Sequence, residues 1–168
     1  MLLMVSDANI LLDIEVGELV ATMFRLPYRF VVPDVLYAEE LAARHSHLLA
    51  MGLTTMTLSS DCVARMVPLS QRYRRASRND LFALALAQDQ RCPLLTGDAA
   101  LRQAAIAENV DVRGTVWLMT ELVRNHQVSI SEARHALERM RANGRRLPWE
   151  LAEEALAGVT QTSGTVPS

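Results

Sequence analysis

An α/β fold built on a parallel sheet is what this sequence predicts, and three observations carry the prediction. Short apolar runs end at an acid or a proline, as buried parallel strands do, and segments of helical periodicity separate them. One such segment, Leu81 to Ala87, is apolar on every side, which suits a helix buried in the middle of a domain. With 168 residues, half of them hydrophobic and 21% charged, the chain can fill one core, and wholesale disorder is excluded.

The elements follow in order. Leu2 to Ser6 reads as a first strand ending at Asp7, and Asn9 to about Phe24 as helix in one or two pieces. Phe30 to Val32 before Pro33 reads as a second strand. Asp34 then opens a helix whose apolar stripe runs through Val35, Ala38, Leu41, Ala42, His45 and Leu49 and which ends near Gly52. Thr54 to Leu58 alternates and is rich in threonine, so it is a third strand, followed by a helix capped by Ser60 or Asp61 that runs towards Arg75. Ser77 and Asp80 are spaced like a capping box at the head of the all-apolar helix. Pro93 to Thr96 is a fourth strand, Asp98 to Ala107 a helix, Val110 to Val112 a short fifth strand and Thr115 to Arg124 another helix. Ser129 to Ala142 and Pro148 to Ala157 form an added helical hairpin around Asn143-Gly144. The last residues, rich in Thr, Ser and Gly, are expected to be disordered. The predicted organisation is a domain over 1–125, a helical extension over 126–158 and a disordered tail over 159–168.

Charge narrows the function. All 17 basic residues are arginines; against 19 acids they give a net charge of −2, so only a local basic patch argues for nucleic acid. Without lysine, P-loop kinases, Schiff-base enzymes and lysine-dependent receiver domains are excluded. Cys62 and Cys92 have no zinc-like spacing and read as small hydrophobes without a disulfide. No apolar run approaches the roughly 20 residues that cross a bilayer, and Asp7 comes too early for a signal peptide, so a cytosolic location is expected.

Four acids stand where a sheet edge is predicted. Asp7 follows the first strand, and Asp98 follows the fourth across Thr96-Gly97, so both lie at carboxyl ends of strands, where ligands of such sheets bind. Asp80 is carried inward by the helix it opens. Of the pair Glu39 and Glu40, a regular helical wheel centred between Ala38 and Ala42 puts Glu39 at the edge of the apolar stripe and Glu40 on nearly the opposite face. Four carboxylates brought together persist only with a hard divalent cation, so Mg²⁺ or Mn²⁺ is expected. Singly, Asp7 and Asp98 also suit helix N-caps, Asp80 a first helical turn and Glu39 open solvent.

The run Ser6-Asp7-Ala8-Asn9, Pro33 with Glu39 six residues on, Asp80 leading Leu81-Phe82-Ala83-Leu84-Ala85, and Thr96-Gly97-Asp98 resembles the PIN-domain nucleases over residues 2 to about 120. The resemblance implies a three-layer α/β/α sandwich with a five-stranded parallel sheet. It also implies a Mg²⁺ or Mn²⁺ site at Asp7, Glu39, Asp80 and Asp98, with Asn9 and Thr96 orienting carboxylates or water. Family members often have Glu followed by Leu, which favours Glu40, whereas spacing from Pro33 and the wheel favour Glu39. Residues Leu137 to Leu156 resemble a C-terminal extension of some prokaryotic PIN proteins.

Taken together, these features lead to a metal-dependent ribonuclease resembling the VapC-type toxins, with RNA as substrate, a small antitoxin partner and a homodimeric state implied by that resemblance. Arg72, Arg74, Arg75 and Arg78, just before Asp80, are candidates for RNA phosphates or a solvated helix end. Arg139, Arg141, Arg145 and Arg146 read as plain surface. His45 and His47, two apart on one helix, are expected to point in different directions and share no metal. The rival class is a PIN-like binding module without hydrolysis; a small phosphatase lacks its Asp-x-Asp, since Asn9 stands at the second position.

Overall fold

The computed structural model describes residues 1–162. Strands β1 (Leu2–Ser6), β2 (Tyr28–Pro33), β3 (Thr54–Met56), β4 (Leu94–Leu95) and β5 (Val112–Arg113) form one parallel sheet in the order β3-β2-β1-β4-β5. Hydrogen-bonded registers such as Val5 with Val31 and Ser6 with Leu95 set β2 on one side of β1 and β4 on the other. The chain lays down three strands in one direction and then turns back, so the order reverses between β1 and β4, and a crevice opens beyond their carboxyl ends.

Helices cover both sides of the sheet. Helices α5 (Ser60–Arg72), α6 (Arg78–Gln90) and α7 (Ala99–Ala107) pack on one another, and α6 lies against β1, β2 and β4. Leu81, Ala83, Leu84, Ala85, Leu86 and Ala87 of α6 are buried, which accounts for its apolar circumference. A second group contains α1 (Ala8–Val16), α8 (Thr115–Arg124), α9 (Ile130–Ala142) and α10 (Trp149–Thr162). Short α2 (Val20–Met23) follows α1, so the expected helix from Asn9 is two pieces. Ser59 rather than Ser60 or Asp61 caps α5, accepting a hydrogen bond from the Cys62 amide at 3.1 Å, and α5 stops at Arg72.

The expected helix from Asp34 to Gly52 is not regular. A single turn, α3 (Asp34–Leu36), widens into a π-helical turn over Tyr37–Leu41; the chain then leaves helical geometry before α4 (His47–Met51). Leu36 and Leu41, five residues apart, are the fully buried positions, while Ala38 is exposed. A spacing of five is the repeat of a π turn, so the stripe assumed for a 3.6-residue period is displaced. Gly52 ends α4 at φ 133°, a conformation open to glycine.

The C-terminal helices share the main core. Ser129 and Glu132 form a reciprocal capping box at the head of α9. Ala133, Ala136, Leu137 and Met140 of α9 and Ala152, Leu156 and Val159 of α10 are buried in the same cluster as β1 and α1. Gly17 permits the approach: a Cβ there would sit 2.6 Å from Met140 Cε. Arg145 donates from Nε to Asp13 Oδ1 at 2.5 Å, and Thr115 Oγ1 donates to Asp13 Oδ2 at 2.9 Å, so a buried acid of α1 is neutralised by the segment after α9. Helix α10 continues to Thr162, so the first residues of the expected disordered tail are helical, because Val159 still has a buried face. The remainder, 163–168, lies outside the described residues.

Truncation after Asn125 therefore strips the core of buried apolar side chains worth roughly 1.5–3 kcal/mol each for Leu, Met and Val, and leaves Asp13 as an unpaired buried charge. That loss is comparable with the whole stability of a domain. The truncated chain should show no cooperative thermal unfolding by circular dichroism. A melting curve close to that of the full chain would make the extension a mere appendage.

Candidate active site

Asp7 is the innermost acid. It is 1% exposed and serves as N-cap of α1, its Oδ1 accepting from the Ile10 amide at 3.0 Å. Its other oxygen, Oδ2, accepts from Thr96 Oγ1 at 2.6 Å. Thr96 belongs to the turn after β4, and its Oγ1 in turn accepts from the Asp98 amide at 3.0 Å. Asp98 caps α7 by accepting from the Leu101 amide at 2.8 Å. Thr96 thus joins two aspartates across the strands at which the sheet order reverses. Both acids fill the capping role that a structural reading assigns them, and capping holds their carboxylates at the mouth of the crevice.

Electrostatics extends the group. Burial pushes the Asp7 carboxyl up to about 7, against the hydrogen bonds from Thr96 and Ile10 that lower it, and the charges of Asp80 and Asp13 raise it further. Asp80 is half-buried at the head of α6, whose cap Ser77 accepts from the Asp80 amide at 3.1 Å. Burial raises its pKa, hydrogen bonding with Ser77 lowers it, and Asp98 raises it. Glu40 is raised by burial and by the charges of Asp80 and Glu39, with Asn79 opposing. Asp80 is accordingly the node that feels or is felt by Asp7, Asp98 and Glu40.

Glu39 is placed otherwise. Arg78 donates to its Oε1 at 2.5 Å and Asn79 to its Oε2 at 2.9 Å, and its side chain is 45% exposed. Of the two exposed glutamates, Glu40 is the one whose pKa is raised in part by the Asp80 charge, whereas the regular wheel favours Glu39; the π turn departs from the period that wheel assumes. Asn9 is exposed, with no side-chain hydrogen bond among the described residues, so of the two expected supporting residues Thr96 alone orients a carboxylate.

The arginines before Asp80 divide. Arg72 pairs with Glu108 at 2.6 Å, and Arg78, besides pairing with Glu39, lies 5.6 Å over the Phe82 ring. Arg74 and Arg75 are exposed and form no ion pair among the described residues. Sequence reasoning missed a second basic surface. A cavity of about 570 Å³ beside the carboxyl ends of β4 and β5 is lined by Thr96, Gly97, Arg102, Trp117, Arg146 and Leu147, among others. Asp13, which raises the Asp7 pKa, was missed as well; its signal was an acid on the buried face of α1.

A family model described as "PIN domain" matches residues 3–161. The chain belongs to the PIN-domain family. The match runs through both C-terminal helices, beyond the span over which sequence motifs carried the resemblance. No curated protein matches the chain. PIN domains are generally metal-dependent nucleases acting on nucleic acid. The oxygen donors of Asp7, Asp80, Asp98 and Glu40 suit the hard divalent ions such enzymes use. Among the described residues no helix is long and apolar enough to cross a membrane.

An acid raised from 3.8 to about 7 binds its proton more tightly in the folded chain than in the unfolded one. Between those values stability rises as pH falls; the gain is complete below the lower value and absent above the upper. In EDTA, Asp7→Asn, which keeps the cap, should therefore be the more stable protein at about pH 8 by an amount on the order of a few kcal/mol, and this advantage should shrink towards about pH 4. Denaturant unfolding of both proteins across that range checks it. A difference independent of pH would mean that Asp7 is not held as an ionised, desolvated group.

Proposed function

We propose that this PIN domain is a metal-dependent endoribonuclease, with the toxin of a toxin–antitoxin pair as its biological setting. The feature that supports the reading is the electrostatic coupling of Asp80 with Asp7, Asp98 and Glu40, with Asp7 and Asp98 at the strands where the sheet order reverses, within a fold of nucleases. Asp7 and Asp98, rigid as helix caps, would hold Mg²⁺ or Mn²⁺, with Asp80 and Glu40 completing the oxygen set. Once bound, such an ion neutralises charge gathering on the phosphate and makes water more acidic. Thr96 keeps Asp7 turned toward the crevice. A carboxylate oxygen of Asp80 or Glu40 not engaged by the ion would orient the attacking water and accept its proton as the water oxygen bonds to phosphorus, while the bond to the 3′-oxygen breaks and that oxygen takes a proton from solvent.

Substrate contacts are drawn from both sides of the crevice. Arg74 and Arg75 are free to meet phosphates, unlike Arg72 and Arg78, whose charges are already paired. Across the crevice, Arg102 and Arg146 offer cationic surface to further phosphates. RNA rather than DNA, the antitoxin and a homodimer rest on resemblance to VapC-type toxins.

Asp98→Asn keeps the side-chain shape and removes a ligand charge. Purified variant should remain folded by circular dichroism and lose Mg²⁺-dependent cleavage of an RNA panel by at least about 100-fold. Wild-type turnover in the variant removes the assignment; a wild-type chain that binds RNA but never cleaves it is the binding module instead. Glu40→Gln should lower the cleavage rate by at least about tenfold more than Glu39→Gln, measured on the same RNA, because Glu40 is the one coupled to Asp80. Equal losses would make the two acids interchangeable and remove the π turn from the chemistry.

A further inference from the structure

The donor atoms that converge most closely do not belong to the crevice. Among the described residues, the group of three His, Cys, Asp or Glu side chains whose ligand atoms all lie within 4.8 Å of one another is Glu15, His45 and His47. Glu15 is in the last turn of α1, His45 lies in the non-helical stretch after the π turn, and His47 is the first residue of α4. The expectation that the two histidines diverge assumed one continuous helix. Because the helix breaks between them, they instead present different nitrogens to the same carboxylate.

His45 Nδ1 lies 2.5 Å from Glu15 Oε2, and His47 Nε2 contacts Glu15 Oε1, so each oxygen serves one imidazole. The rings are tilted at 53° with centroids 6.1 Å apart. Nδ1 of His45 is buried, yet it forms no hydrogen bond of acceptable angle, although the carboxylate is beside it. That leaves a buried ring nitrogen beside the carboxylate with no hydrogen bond of its own. No arginine pairs with Glu15 among the described residues, so its charge is met by imidazoles alone.

We propose that Glu15, His45 and His47 form a site for a divalent transition-metal ion of the zinc class, separate from the oxygen-only crevice. Two imidazoles and a carboxylate are the ligand set of three-ligand zinc sites, and Mg²⁺ prefers oxygen throughout. Tetrahedral binding puts ligand atoms about 3.3 Å apart, so the carboxylate needs to retreat from the imidazoles by less than about 1 Å. His47 is half-exposed, which leaves the fourth position to water. The ion would tie the end of α1 to the segment that follows Glu39 and Glu40, bracing the π turn from its distal side.

The test titrates metal-stripped full-length protein with Zn²⁺ by calorimetry, and with Co²⁺ by its visible absorption, in wild type, His47→Ala, Glu15→Gln and Asp98→Asn. Asp98→Asn should bind one ion, wild type should bind that ion beside any held in the crevice, and both should gain thermal stability from it. His47→Ala and Glu15→Gln should weaken binding by more than the roughly tenfold that loss of an outer-shell partner costs, and should lose the thermal gain. Exposed His47 carries the test if Glu15→Gln folds poorly. Absence of saturable one-to-one binding in Asp98→Asn overturns the proposal, as does binding that is unchanged in His47→Ala and Glu15→Gln but disappears in Asp98→Asn. Neither result bears on Mg²⁺-dependent RNA cleavage, which is measured separately.

Discussion

One hydrogen bond, from Thr96 Oγ1 to Asp7 Oδ2, organises the working end of this protein. It bridges the turns after β1 and β4, the two neighbouring strands at which the sheet changes direction. The same hydroxyl receives the Asp98 amide, so a single threonine sets the positions of two helix-capping carboxylates. A carboxylate as buried as Asp7 would ordinarily be protonated or expelled; two hydrogen bonds, one of them the helix cap, keep it in place with a pKa near neutrality. The fold thus holds a group that folding alone disfavours and that a cation would relieve.

Behind that end, stability comes from α6 and from the joint between α1 and the C-terminal helices. Helix α6 is buried on almost all sides, so its first turn cannot shift without disturbing the sheet, and Asp80 inherits that rigidity. Asp13 stands on the opposite layer, where Arg145 and Thr115 satisfy it, and its charge in turn raises Asp7. Neutralisation of Asp13 by a residue more than a hundred positions away is a reason for the terminal helices to belong to the domain.

Legibility in the sequence followed the regularity of the backbone. Helix α8 coincided with its predicted bounds, being regular throughout, and α6 showed its burial outright because its middle is apolar on every side. Asp7 and Asp98 were legible because each closes an apolar strand. Strands β4 and β5, two residues each, were located only roughly, since so short a ladder has no alternation to read. The wheel that separates Glu39 from Glu40 assumes a 3.6-residue period that the backbone leaves at the π turn, and the histidines expected to diverge both meet Glu15 because the helix is interrupted there. Asp13 was signalled only by its place on the buried face of α1; its partner Arg145 is remote in the chain and looked like surface.

The π turn has a wider consequence. Five residues completing a turn where fewer would do amounts to a phase offset written into the backbone, and everything downstream of it is rotated relative to what precedes it. Two adjacent glutamates then meet different surroundings, Glu39 paired with Arg78 and Glu40 subject to the Asp80 charge, although no side chain distinguishes them. Deleting one residue from Tyr37–Leu41 would be a change of angle more than of length. Insertions and deletions in this short stretch therefore offer evolution a means of re-aiming an acid without replacing it.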